Sequence, residues 1–239
     1  MKGFLCVIGV FAVLTGGFKL KKKINAFFFC IFSLFSCGID NIIYLAPPSS
    51  KHDPSDNIAD NEKYFEFETS DTENTANASG YFNGFDIFYK IYENENECNS
   101  DIVRAVTHKG NNWSDSVNYL RSTLGFFLLK CSTSSSQPLI PSASANRSIH
   151  FRLIAYSSDS AEIKIDGSPY GAVLRNNGND FTAIEKTDFD VKPSRSPTDP
   201  NTLYVAVFTA AYGMDTAFKP FYSEVVKLGY VKIPKPSSW

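Results

Sequence analysis

The sequence predicts a mainly β fold, arranged as a sandwich of two sheets, behind an N-terminal export leader. Short segments rich in aromatic and β-branched residues alternate apolar and polar positions from about residue 64 to the C-terminal end. Polar clusters with glycine and proline separate these segments, as turns do in sandwiches. A basic and then apolar stretch that ends in a cysteine precedes them, which is the pattern of a leader.

The leader occupies residues 1–36. Four lysines between Lys19 and Asn25 are followed by an apolar run of roughly ten residues, which is typical of a signal peptide and too short to span a bilayer. The residues after it, Leu34-Phe35-Ser36-Cys37, resemble the lipobox of bacterial lipoproteins. That resemblance makes Leu34 and Ser36 the signal-peptidase recognition residues and Cys37 the lipidated residue. Phe35 departs from the strict motif, as in the relaxed lipoboxes of spirochaete-type lipoproteins.

A second apolar stretch, residues 3–18, lies upstream of this signal and duplicates its role. The sequence Leu20-Lys21-Lys22-Lys23 would open a complete signal peptide if codon 20 were TTG or CTG and were read as the start. We therefore expect residues 1–19 to be an over-extended start. The alternative is a first transmembrane helix, for which about 16 apolar residues are marginal.

The exported part is acidic. The leader holds five of the 23 basic residues and none of the 25 acidic ones, so the chain from Cys37 onward carries a charge of about −7. This argues against nucleic acid as a partner, because phosphate binding requires a basic face. Residues 37–62 are rich in proline, asparagine and aspartate and are predicted to form the lipidated cysteine and a flexible tether. Within them, Ile42 to Leu45 is apolar enough for a first strand.

Residues 63–239 are predicted to form the β-rich domain. An Asp-Gly pair at Asp166-Gly167 predicts a tight hairpin turn. One helix is expected from about Trp113 to Leu124, with Ser114 as its N-cap. Two surface loops are predicted at 132–144 and 192–202. Strands are predicted at 64–68, 84–92, 124–131, 148–156, 161–165, 170–175, 203–210 and 225–233.

Three segments resemble a fibronectin type III module. Residues 84–92 are similar to its strand C, residues 203–213 to its strand F, and residues 221–227 to the start of its strand G. Tyr204 would then be the tyrosine-corner residue. The resemblance implies an immunoglobulin/fibronectin type III-like sandwich with a large insertion, at about residues 93–202, that contains extra strands and one helix.

The sequence offers no catalytic or cofactor motif, so an enzyme is not predicted. Its three histidines, His52, His108 and His150, are expected to be surface or strand residues rather than metal ligands. The run from Glu93 to Glu97 is expected to be a solvated loop rather than a Ca²⁺ site. The clustered aromatics are expected to form core rather than a sugar-binding platform: Tyr64, Phe65, Phe67, Phe85, Phe88, Tyr89 and Tyr92.

Two cysteines remain in the exported part, Cys98 and Cys131. They either form one disulfide or stay free, and the sequence leaves both possibilities open.

Three functions are compatible with this sequence. The first is a binding or adhesion module, tethered to the bilayer by the acyl chains of Cys37, with a protein or glycan ligand. The second is a structural or assembly lipoprotein that docks on another envelope protein. The third is a solute-binding or enzymatic lipoprotein. In each case the protein is expected at the cell membrane or outer membrane, facing the periplasm or the cell surface.

Overall fold

Two long strands, β3 and β11, organise the structure. The structure is a computed structural model, and it describes residues 43–55, 59–108, 110, 112, 114–134, 136–236 and 239. The strands of the described part are β1 Ser49–His52, β2 Phe65–Glu68, β3 Phe82–Tyr92, β4 Phe127–Leu128, β5 Lys130–Cys131, β6 Ile140–Pro141, β7 Ser148–Phe151, β8 Glu162–Ile165, β9 Ser168–Leu174, β10 Val191–Lys192, β11 Thr202–Met214, β12 Pro220–Tyr222 and β13 Val226–Pro234. The helices are α1 Asp71–Asn77, α2 Glu95–Thr107 and α3 Asp115–Asn118, which continues as a π-helical turn, Tyr119–Thr123.

The strands form two largely antiparallel sheets. Sheet I has the order β1-β2-β7-β8-β9-β5. In sheet II, β3 pairs antiparallel with β11, from Tyr92 opposite Tyr204 to Phe82 opposite Gly213. Three short strands, β6, β4 and β10, follow one another along the free side of β3, and β10 is parallel to it. β12 and β13 line the free side of β11. The mainly β sandwich predicted from the sequence is therefore confirmed.

Sheet II is buried on both faces. In β3, Phe85 and Ile87 face the core between the sheets, whereas Phe88 and Tyr92 face a second core beneath the helices. All four side chains are fully buried. A strand covered on both sides is apolar at almost every position, which explains the aromatic density of this segment. The described part of the chain thus has three layers: sheet I, sheet II and the helices.

The helical layer packs on β3 and β11 through the side chains that each helix turns inward. In α2 these residues recur at helical spacing, and in α3 and the turn that follows they continue the same apolar face. They are Cys98, Ile102 and Ala105 from α2, and Val117, Leu120 and Leu124 from α3 and its extension. The helix predicted at 113–124 is confirmed over its described residues, but α1 and α2 were not predicted.

The prediction of a flexible tether is wrong for the described residues between 43 and 62. Ser49–His52 is strand β1, which pairs with β2. Leu45 and Ala46 are buried, and both backbone groups of Ala46 are bonded to the Asn74 side chain, with N–H···Oδ1 at 2.7 Å and Nδ2–H···O at 3.0 Å. The described residues 43–45 of the predicted first strand are not in a strand, and the first strand of the described part is β1. Composition gave no sign of this, because backbone bonds hold β1 while most of its side chains are exposed.

The predicted hairpin is confirmed. Asp166 and Gly167 both have positive φ, 48° and 77°, and join β8 to β9 in a tight turn. The predicted loop at Glu93–Glu97 is wrong, because α2 begins at Glu95. Asn94 caps it by accepting a hydrogen bond from the Glu97 N–H at 3.1 Å.

Residues 93–202 are an integral part of the sandwich. They provide four of the six strands of sheet I, namely β5, β7, β8 and β9. They also provide α2 and α3, which cover sheet II. Without them the inner face of sheet II would lose most of its covering layer.

Candidate functional site

An open cleft lies beside strand β4, where the helical layer meets the edge of sheet II. Its volume is about 500 Å³, within the usual range for ligand sites. It is lined by the end of α3, the π-helical turn, the segment that leads into β4, and one residue that follows β9. The lining residues are Asn118, Arg121, Ser122, Phe126, Phe127, Leu128 and Asn176.

The π-helical turn builds one wall of the cleft. The Leu124 N–H donates to the Tyr119 carbonyl at 3.0 Å, a bond that spans five residues instead of the four of an α-helix. Gly125 then takes a φ of +72°, which turns the chain out of the helix and into β4. π-Helical turns are rare and occur frequently at functional sites. Here the turn presents Arg121 and Ser122 to the cleft.

The polar side chains of the lining have no partner within the described protein. Asn118, Arg121 and Ser122 are exposed, Asn176 is half-buried, and none of the four side chains forms a hydrogen bond or ion pair with a described residue. Arg121 is the one charged residue among the seven that line the cleft. The site therefore presents one positive charge together with several free hydrogen-bond donors and acceptors.

The backbone around Asn176 is fixed. Its N–H donates to the Tyr89 hydroxyl at 2.7 Å, and its carbonyl accepts from Lys130 Nζ at 2.5 Å. Lys130 lies in β5, which pairs with the end of β9. The Asn176 side chain is thus presented from a rigid position.

Aromatic rings form the apolar wall. Phe126 is buried and packs edge-on against Phe208 at 5.4 Å between ring centroids. Phe127 is half-buried and meets Phe189 at 4.9 Å and 65°. Phe189 is 56% exposed, which extends the aromatic surface outward from Phe127.

A buried carboxyl, Asp86, lies in β3 within reach of the Arg121 charge. Burial raises the pKa of Asp86, although hydrogen bonds and the Arg121 charge oppose this shift. The carboxyl accepts from the Leu139 N–H at 3.0 Å, from Gln137 Nε2 at 2.6 Å and from the Tyr222 hydroxyl at 3.2 Å. The Asp86 carboxyl thus accepts three hydrogen bonds, two of which attach the segment before β6 to sheet II.

Leu34, Ser36 and Cys37 lie outside the described residues, as does the whole leader. The predicted alternative of a disulfide between Cys98 and Cys131 is not found, since both thiols are free. Cys98 lies in the core beneath the helices and Cys131 in the core between the sheets, so the two sulfurs lie on opposite sides of sheet II. Burial raises the pKa of the Cys98 thiol.

The acidic run at the start of α2 is paired with lysines. Glu93 binds Lys235 at 3.0 Å, Glu95 binds Lys232 at 3.0 Å and Glu97 binds Lys192 at 3.3 Å. Burial disfavours the Glu93 charge, but hydrogen bonds from the Ser194 N–H and from Lys235 outweigh it and hold the pKa of Glu93 below its usual value. The described residues include no group of acids, histidines and cysteines that could hold a metal ion.

The aromatic residues considered for a sugar platform are core, as expected, except Tyr64. Six of the seven are fully buried. Tyr64 lies on the outer face of sheet I, stacked between His52 at 4.0 Å and His150 at 4.4 Å. The sequence did not indicate that these two histidines meet. His108 stacks on Tyr119 at 4.0 Å, next to the π-helical turn.

No pattern in the sequence indicated the cleft. Comparisons with protein-family models, with curated proteins and with solved structures each returned no match. Within the described residues, no helix has both the length and the apolar character needed to cross a membrane.

Proposed function

We propose that this chain is a bacterial lipoprotein of the spirochaete type, and that its domain is a ligand-binding module on the cell envelope. The lysine-rich and apolar leader that ends in Leu34-Phe35-Ser36-Cys37 supports the anchor. Two or more acyl chains on Cys37 would hold the domain at the cell membrane or outer membrane, facing the periplasm or the cell surface.

We also propose that the sandwich is of the immunoglobulin/fibronectin type III kind. In such modules strands C, F and G are neighbours in one sheet, and A, B and E are neighbours in the other. The orders β3-β11-β13 and β1-β2-β7 fit that arrangement. The β8-β9 hairpin and the helical layer are additions to it. The family serves mainly as a scaffold for binding sites, which favours a binding function but does not define the ligand.

The observation that carries the proposed binding function is the cleft of unpartnered polar side chains. Arg104 and Arg147 are paired with carboxylates, whereas Arg195 is exposed and, like Arg121, has no described partner, so a lone unpaired arginine does not mark the site. The cleft instead gathers Arg121 and three neutral hydrogen-bonding residues beside an aromatic wall. This lining includes no histidine, cysteine or carboxylate for acid–base or nucleophilic chemistry, so we assign it to binding rather than catalysis. Its polar character favours a small polar ligand over docking of another envelope protein.

The anchor is tested by detergent phase partitioning of the full chain and of Cys37→Ala. Wild-type protein is expected in the detergent phase, and the variant in the aqueous phase with an unchanged circular dichroism spectrum. A processed Cys37→Ala protein that still partitions with detergent would contradict the lipoprotein proposal.

The cleft is tested with Ser122→Trp, which fills it from an exposed position without touching the core. Wild type and variant are applied to the same array of neutral and acidic glycans and peptides. Ligands held by the wild type should be lost by the variant, while both proteins keep the same melting temperature. If the variant retains every ligand, the binding site lies elsewhere.

A further inference from the structure

The cleft has the side chains needed to recognise a carboxylate. Arg121 is exposed, unpaired with any described residue, and the one charged group in the lining. A guanidinium presents two parallel N–H donors that match the two oxygens of a carboxylate. The Asp86 carboxyl does not occupy it, since its hydrogen-bond donors are Leu139, Gln137 and Tyr222.

The neutral lining residues indicate a ligand with several hydroxyl groups. Asn118 and Asn176 each offer a donor and an acceptor, and the Ser122 hydroxyl can do both. A fully ionised anion such as sulfate only accepts hydrogen bonds, so it would leave the amide oxygens bonded to water alone. An apolar ligand would displace water from all these groups without replacing its hydrogen bonds, which is unfavourable.

The aromatic wall supplies the remaining element. Phe127 is half-buried and its ring is held edge-to-face by Phe189. Leu128 lies beside it in the lining. A sugar ring has an apolar face of C–H groups that can pack on such a wall while its hydroxyls point to the amides. A volume of about 500 Å³ has room for a ligand of one or two sugar rings.

We propose that the cleft binds a hexuronic acid, with the carboxylate on Arg121, the sugar ring against Phe127 and the hydroxyls on Asn118, Ser122 and Asn176. This inference rests on the proposed function, because it assigns a ligand class to the binding site proposed above. The source of the ligand is an acidic polysaccharide or glycan that ends in, or exposes, a uronic acid residue.

The test compares two pairs of sugars that differ at one carbon. Methyl glucuronide and methyl galacturonide carry a carboxylate where methyl glucoside and methyl galactoside carry a hydroxymethyl group. Binding to the full chain in non-ionic detergent is measured by titration calorimetry. At least one uronide should bind about tenfold more tightly than its neutral partner, as a charge-assisted bidentate contact predicts.

Arg121→Gln should abolish this preference by lowering the affinity for the uronide to that for the neutral sugar. The matched control is Arg195→Gln, which removes the same charge from an exposed arginine without a described partner outside the cleft. The control should keep the preference. If Arg121→Gln keeps it, or if both variants lose it equally, the inference is overturned.

Four further outcomes test this inference, and the first two separate it from the proposed function. If neutral sugars and uronides bind equally well and Ser122→Trp removes both, the cleft is a binding site but the acidic-sugar assignment is wrong. If inorganic phosphate competes as well as the uronide does, the site is a general anion site and the assignment is again wrong. If Ser122→Trp binds the uronide as the wild type does, both proposals fail together. No uronide binding at millimolar concentration also overturns the inference.

Discussion

Arg175→Met should destabilise the domain strongly, because Arg175 is the centre of a buried charge network. Its side chain has no solvent exposure and extends from the end of β9 to the segment before β10. The guanidinium donates to Asp190 Oδ2 at 3.0 Å, to Asp188 at 2.6 Å and to the Ala183 carbonyl at 3.0 Å. It therefore attaches the loop between β9 and β10 to the sandwich.

The expected loss of stability follows from Asp190, which would remain without its charged partner. Asp190 is fully buried, and without Arg175 it would keep the Tyr89 hydroxyl, at 2.5 Å, as its donor. Burial, together with the adjacent Asp190 charge, raises the pKa of Tyr89, so the phenol stays protonated and continues to donate. Removing one partner of a buried ion pair costs about 3–5 kcal/mol, since a buried charge is left uncompensated. Methionine conserves much of the volume, so the loss reports charge rather than cavity.

The assay is urea unfolding of the domain followed by circular dichroism. Arg175→Met should lower the free energy of unfolding by about 3–5 kcal/mol. The double variant Arg175→Met/Asp190→Asn should recover part of that loss, because no charge is then stranded and the amide oxygen still accepts from Tyr89. Arg195→Met is the matched surface control. A loss below about 1 kcal/mol, the level of a surface ion pair, would refute the reasoning, as would a double variant that is no more stable than the single one.

Three further predictions concern stability. Asp86→Asn should lower the free energy of unfolding in urea by about 1–3 kcal/mol less than Asp86→Ala does, because the amide can still bond the Gln137 side chain once that side chain flips. Equal losses for the two variants would contradict this role of Asp86. Burial lowers the pKa of His150 in the folded protein below the value of about 6.5 expected in the unfolded chain. The neutral imidazole therefore contributes to stability above about pH 6.5, and this contribution is lost as the pH falls through the pKa of the folded state. Thermal melts from pH 8 to pH 5 should show a shallower loss for His150→Gln than for wild type, and parallel curves would argue against the assignment. Reducing agent should leave the melting temperature unchanged, because Cys98 and Cys131 are free and lie in separate cores; a drop would reveal a disulfide.

The strands were predictable because their side-chain pattern is local. The segments that form β3 and β11 are rich in aromatic and β-branched residues. This composition is typical of strands that are buried on both faces. The Asp166-Gly167 turn was equally local, since few residue pairs other than Asn-Gly and Asp-Gly accept two successive positive φ angles.

Helix α2 was missed because its polar composition conceals a weak apolar face. Cys98, Ile102 and Ala105 recur at four and three residues, and Asn94 stands at the N-cap position. Those two features together are the signal that would have identified it. Strand β1 has no such signal, because its order depends on bonds to β2 rather than on its own side chains.

The cleft was not predictable because its residues match no motif. Asn118, Ser122 and Asn176 are common surface residues, and Asn176 is separated from the others by more than fifty positions. The pairing of β5 with β9, which sets Lys130 opposite Leu174, brings the two segments together. Side-chain patterns do not specify a pairing between a two-residue strand and a distant partner.

The pairing of β3 with β11 has a consequence for the order in which the protein can fold. Phe88 lies opposite Phe208, 120 residues later in the chain. Contacts of such long range form slowly, because the chain between them must first close a large loop. During synthesis, the aromatic-rich strand β3 lacks its neighbour β11 until residues 202–214 of the 239 have been made. A chaperone that holds the unfolded chain would bind that strand, and under the proposed export the same delay would keep the chain unfolded for translocation.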